Sequence, residues 1–104
     1  MIRVAVLYPN SDGASFDVRY YKDTHMKLVR EKLDPLGMLG CEVDAGVAGM
    51  DDAPPPYLAI GYLFFETADQ FHSAFAKVGA ELVADVPNYT NVQPVLLISD
   101  YEKM

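Results

Sequence analysis

Of the two histidines in the chain, His25 is the one whose setting could do chemistry. It lies in the segment Phe16 to Leu33, FDVRYYKDTHMKLVREKL, whose periodicity predicts a helix from Val18. At about 100° per residue, Val18, His25 and Val29 fall on one line, flanked by Tyr21, Leu28 and Leu33. Arg19, Asp23, Lys27 and Arg30 fall on the opposite, solvated side, and Asp17 fits the N-cap. An imidazole in the middle of an apolar stripe costs about a few kcal/mol unless a partner satisfies it. Two readings account for it. In one it is structural, bonded to a backbone carbonyl or a tyrosine. In the other it lines a pocket, where a group titrating near neutrality can take a proton from a weakly acidic carbon or hydroxyl and return it. His72 supplies the contrast, since it lies about 100° from the axis of its own helix's apolar stripe and belongs to the exposed surface.

Few other residues fit such chemistry. Tyr21 lies one turn before His25, close enough to share a pocket or a hydrogen bond. Tyr20 points outward with the charges, so a loop, a partner chain or water must meet its hydroxyl. Tyr8, at the end of the first predicted strand, is either core or the mouth of a pocket. Asn88 and Tyr89 precede the last strand; they either orient a carbonyl or enolate oxygen, or only set a turn and cover a helix end. Cys41 sits beside Glu42 and Asp44, which disfavour a thiolate, so it is not expected to be a nucleophile. The adjacent Asp51 and Asp52 read as solvated loop. Two distant histidines, with no CxxC and no HxxxH, give no metal-ligand spacing, and neither a metal nor a dedicated cofactor is expected; a haem held by His25 alone would leave no mark in the sequence.

These side chains need elements to hold them. Ile2 to Tyr8 alternates and is rich in branched residues, which predicts a strand, and PNSDGAS from Pro9 is a loop. The first helix should stop near Asp34, ahead of Pro35. Met38 to Val47 predicts a strand, bent or bulged at its glycines. Ala48 to Pro56, ending in three prolines, is a lid or a plain connector. Tyr57 to Phe65, YLAIGYLFF, is apolar on both sets of alternate residues, the pattern of a strand covered on both sides. Thr67 and Gln70 predict a capping box; Phe71, Ala74, Phe75, Val78 and Leu82 then form the stripe of a second helix ending before Pro87. Asn88 to Asn91 is a turn, and Gln93 to Ser99 the last strand. The order βαββαβ predicts a single α+β domain over 1–104, a ferredoxin-like four-stranded antiparallel sheet with both helices on one face.

Composition narrows the function. The net charge is −7, and no cluster of Lys and Arg exists to bind nucleic acid or an anionic membrane surface. One cysteine excludes an internal disulfide and fits a reducing cytoplasm, and no apolar run approaches a membrane span. With 51% apolar residues, and both faces of the third strand hydrophobic, the side of the sheet turned from the helices is too greasy to stay wet. A homodimer with sheets packed face to face is expected.

The pattern of Phe16, Asp17, Tyr20, Tyr21, His25, Met26, Leu28 and Val29, the loop Pro54, Pro55, Pro56, Tyr57, and the late run Pro87, Asn88, Tyr89, Thr90 with Gln93 and Pro94 resemble the EthD family. These small proteins of the dimeric α+β barrel superfamily are named for a member found with the breakdown of ethyl tert-butyl ether. The resemblance covers almost the whole chain. It implies a ferredoxin-like protomer, a dimer whose two sheets form a barrel, and a cavity between the first helix and the sheet into which His25 projects. Relatives across the superfamily include cofactor-free monooxygenases, lactone isomerases, polyketide cyclases and haem-handling enzymes. Two functions follow as expectations. One is a cofactor-independent oxidoreductase or isomerase acting on a small hydrophobic or aromatic carbonyl compound through His25, with Tyr8, Tyr21, Asn88 and Tyr89 about the ligand. The other is a non-catalytic accessory or ligand-carrier protein of a catabolic pathway.

Overall fold

Alternation along the strands sorts the side chains before the helices pack. The computed structural model describes residues 1–104, in which four strands, β1 (Ile2–Pro9), β2 (Gly40–Ala45), β3 (Tyr57–Phe65) and β4 (Val95–Asp100), form one antiparallel sheet in the order β2-β3-β1-β4. The register sets Val4 opposite Leu63, Val6 opposite Gly61 and Tyr8 opposite Ala59 on one face. Arg3, Ala5 and Leu7 pair with Phe64, Tyr62 and Ile60 on the other. Both helices cover the first face, where Val4, Leu33, Phe65 and Tyr21 form the centre of the core. This is the ferredoxin-like α+β arrangement expected from the element order. No helix is long and apolar enough to cross a membrane.

The first helix is continuous but not uniform. It starts as Val18–Tyr20, with the Asp17 carboxylate accepting from the Tyr20 amide at 3.0 Å, runs through a π-helical turn at Tyr21–His25, and continues as Met26–Leu33 into a 3-10 turn at Asp34–Leu36. The π turn corrects the stripe drawn from a regular helix. An i→i+5 turn takes more residues per revolution, so the inward face rotates. Tyr21, His25, Met26, Val29 and Leu33 are buried, whereas Val18 and Leu28 are only half-buried. Gly37 closes the segment at φ 107, a left-handed conformation that favours glycine.

The second helix spans Ala68–Asp85, and the Thr67 hydroxyl accepts from the Gln70 amide at 3.1 Å. Only this half of the expected capping box forms, because the Gln70 side chain packs over Gly37. Phe71, Ala74 and Leu82 of the predicted stripe are buried, and Phe75 and Val78 are half-buried.

Two further expectations need adjustment. β2 is shorter than expected and carries no bulge, pairing with β3 in unbroken register from Gly40–Phe64 to Ala45–Ala59. Its glycines mark the ends instead: a Cβ on Gly46 would meet the Tyr57 carbonyl. The sheet's irregularity falls between Tyr8 and Pro9. The segment of 48–56 connects β2 to β3 and is held at its far end. It is pinned by hydrogen bonds from Asn10 to the carbonyls of Pro55 and Pro56, at 3.0 and 2.9 Å.

Candidate functional site

The π turn delivers His25 to the C-terminal end of the second helix. There its Nδ1 lies 2.9 Å from Oδ2 of Asp85, the last residue of that helix. The imidazole is buried at 5% exposure, and the Asp85 side chain keeps 14%. Burial pushes the His25 pKa down and outweighs the upward pull of the Asp85 hydrogen bond and charge, so the ring is neutral near pH 7. Partial burial works against ionisation of Asp85, but bonds donated by Asn88, His25 and Tyr20 together hold its carboxyl below the usual carboxylate range. Tyr20 and Asn88 both donate to Oδ1, at 2.8 and 2.9 Å. A neutral ring beside a carboxylate carries its proton on Nδ1 and leaves Nε2 as the acceptor.

The hydroxyl of Tyr89 approaches Nε2 at 3.4 Å and the hydroxyl of Tyr8 at 2.6 Å. With Nε2 accepting, the protons run in one direction: Tyr8 donates to Tyr89, Tyr89 to Nε2, and Nδ1–H to Asp85. Burial raises the pKa of Tyr8, Tyr21 and Tyr89, so all three remain phenols. The contact to Nε2 is long for an O–H donor, so this nitrogen is the weakly bonded one of the ring.

Position is enforced from several sides. Tyr21 stacks on His25 with centroids 5.5 Å apart and planes at 15°, and Tyr89 tilts against it at 4.6 Å. Phe16 packs edge-on against Tyr8, Tyr21 and Tyr89. The loop carrying Tyr89 is stitched to the loop before the first helix by Asp17 N–H to the Tyr89 carbonyl at 2.7 Å and by the Thr90 hydroxyl to the Ser15 carbonyl at 2.7 Å. Gly61, under the site in β3, leaves room that a side chain would take, because a Cβ there would collide with the Tyr21 hydroxyl.

A cleft of about 80 Å³ opens between the helices and the sheet. Fourteen residues line it; their polar groups are the Tyr8 and Tyr21 hydroxyls and the His25 imidazole, and none is Lys or Arg. Of the residues singled out from sequence, Tyr8, Tyr21 and His25 thus share the cleft. Tyr89 stands behind the imidazole as its neighbour, whereas Asn88 is exposed and holds Asp85 instead of lining the cleft. Tyr20, outward in the wheel, meets the end of the second helix and the loop after it, stacked on Tyr89 at 6.1 Å and bonded to Asp85. Cys41 is half-buried on β2, where burial pushes its thiol up despite the opposing pull of Arg30. No three His, Cys, Asp or Glu side chains come together in a metal-ligating group.

Asp85 is the site residue that sequence reasoning missed. A signal existed: an acid in the last turn of a helix faces the negative end of the dipole, and no basic residue shares that turn. Such a carboxylate asks for a donor from elsewhere.

Known proteins place this architecture. The family model for the EthD domain matches residues 13–93. An uncharacterized 11.0 kDa protein of the thcB-thcC intergenic region in Rhodococcus erythropolis is 30% identical over 104 residues, covering 98% of this chain and 96% of that protein. Among solved structures, an EthD-like protein from Ralstonia eutropha JMP134 superposes with a TM-score of 0.88 at 39% identity, covering 95% of this chain and 89% of that one. An ethyl tert-butyl ether D (EthD) family protein from Bacillus halodurans C-125 shares the fold at 16% identity and a TM-score of 0.74, covering 98% and 99%. With the matched region running from the loop before the first helix to the residues leading into β4, and so containing His25, Asp85 and Tyr89, the chain belongs to the EthD family.

Proposed function

We propose that the cleft binds a small hydrophobic or aromatic carbonyl compound, that a second copy packs its sheet against the bare face to complete a barrel, and that His25 performs acid/base chemistry without a cofactor. The observation that carries this reading is the asymmetry of the imidazole's partners. Nδ1 is tied to a carboxylate at 2.9 Å and Nε2 has only a 3.4 Å contact, and His25 lines a cleft whose other polar groups are the Tyr8 and Tyr21 hydroxyls. A histidine serving only the fold would have both nitrogens well bonded. In this reading Nε2 takes the proton from a weakly acidic carbon or hydroxyl, and the adjacent carboxylate stabilises the imidazolium that forms.

The barrel is supported by the outer face of the sheet, where Val95 and Leu97 are each 56% exposed beside Leu7 and Ile60. The carrier reading is favoured by the walls, since a lining made mostly of aliphatic and aromatic side chains suits holding a ligand as well as transforming one. Ligand discovery by native mass spectrometry on the wild-type protein, followed by binding and turnover of the identified compound in wild type and His25→Gln, separates the two. Binding with turnover that vanishes in His25→Gln supports catalysis. Binding without turnover in either protein assigns a carrier.

A further inference from the structure

The polar groups of the cleft also specify what kind of ligand it takes, an inference that rests on the binding reading above. We propose that the cleft selects an uncharged ligand bearing a hydroxyl, a phenol or the enol form of a carbonyl compound, which donates to His25 Nε2 and accepts from the Tyr8 hydroxyl, and that Asp85 sets this preference.

Three observations converge. The first is charge. None of the fourteen lining residues is Lys or Arg, so nothing in the cleft neutralises an anion. On the first helix the nearest charged side chains, Lys22, Asp23 and Lys27, are exposed on the outer side. From the second helix the charge facing the imidazole is Asp85. From the sheet, the lining residues are Val6, Tyr8, Gly61, Leu63 and Leu96, all uncharged. A carboxylate ligand would meet a low-dielectric wall with a second carboxylate behind the imidazole.

The second is the proton inventory. The Nδ1–H to Asp85 leaves Nε2 an acceptor, so the complementary ligand group is a donor. The third is the phenol pair. In the free protein Tyr89 supplies the long 3.4 Å contact to Nε2. When a ligand hydroxyl replaces it, Tyr89 donates to Tyr8, Tyr8 to the ligand oxygen, and the ligand hydroxyl to Nε2. Each proton is used once, and the weakest bond of the free site becomes a full one. Asp85 touches no ligand in this scheme; it is a positioning residue that fixes the tautomer and supplies the repelling charge.

The test uses 4-methylphenol, 4-methylanisole and benzoate as probes at about pH 8, where the phenol is neutral and benzoate is charged. Calorimetry on the wild-type protein should show 4-methylphenol binding on the order of tenfold more tightly than either of the others, although the anisole is the more apolar. Nitrogen-15 spectra of His25 should show Nδ1 protonated before and after binding. In Asp85→Asn the margin over benzoate should shrink, and the His25 spectrum should change toward mixed tautomers, a readout that loss of stability alone would not produce. Equal affinity for phenol and anisole would overturn the hydroxyl requirement, and tighter benzoate would overturn the charge argument; both leave the binding reading standing. An Asp85→Asn protein that is folded by circular dichroism and keeps the full margin removes Asp85 from the proposal. If no probe binds at millimolar concentration, the binding reading itself fails and this inference with it.

Discussion

At the scale of the residue, His25 and its two partners make the pH dependence of stability specific. Burial holds the folded His25 pKa below its ordinary value of 6.5, so as pH falls the unfolded chain takes up this proton first. The unfolded state then binds more protons than the native one, and unfolding free energy drops with pH below about 6.5 by at most about 1.4 kcal/mol per pH unit, until the folded pKa is reached. Asp85, lowered from 3.8 in the folded protein, adds a separate loss at more acid pH, again because the unfolded form protonates first. Urea unfolding across pH should show both limbs in the wild type and only the acid limb in His25→Gln. A slope near pH 6 that survives this substitution would assign it to other groups. The phenol pair gives a second prediction. Tyr8→Phe and Tyr89→Phe should each cost about 0.5–1.5 kcal/mol, and the double variant less than their sum, since both lose the same 2.6 Å bond.

At the scale of the element, the π turn and the glycine beneath it act together. The turn rotates Tyr21 and His25 inward, and Gly61 leaves room on β3 for the Tyr21 hydroxyl. Gly61→Ala should therefore destabilise by about 1–3 kcal/mol, as overpacking does, even though alanine is ordinarily the better strand residue. Tyr21→Phe in the same chain should recover much of the loss, because the hydroxyl is the colliding group. Thermal unfolding of the two single variants and the double checks this, and additive losses would place the collision elsewhere. The second helix offers a simpler case. Thr67→Ala removes the acceptor of the Gln70 amide and should cost about 1 kcal/mol.

At the scale of the whole molecule, the bare face of the sheet is what the proposed assembly rests on. Leu7, Ile60, Val95 and Leu97 make an apolar centre, edged by Glu42 and Asp44 on β2 and by Arg3, whose guanidinium lies 5.0 Å over the Tyr62 ring and 5.3 Å over Tyr101. Sheet packing across a twofold axis would bury that centre and leave the charges at the rim. Leu97→Lys places a charge in the middle of the expected contact and should shift sedimentation from dimer to monomer at micromolar concentration. A wild-type protein that sediments as a lone subunit removes the barrel from the proposal.

What the sequence determined by itself was what local rules govern. The branched alternation of β1, the doubly apolar β3, the Asp17 and Thr67 caps and the Pro35 stop depend on neighbours within a few residues, and so the βαββαβ order and the buried His25 were legible without coordinates. What only the tertiary structure decided were relations across long separations and small angular choices. Tyr20 and His25 were visible as polar side chains, but their common partner Asp85 is 65 residues from Tyr20 and 60 from His25, beyond any periodic rule. The π turn is a one-residue change of phase, which tertiary packing selects because it buries Tyr21, His25 and Met26 together. The direction of the proton chain through Tyr8, Tyr89, His25 and Asp85 exists only once the end of a strand, a loop, the middle of the first helix and the end of the second meet, since a hydrogen bond is fixed by distance in space and not by spacing along the chain.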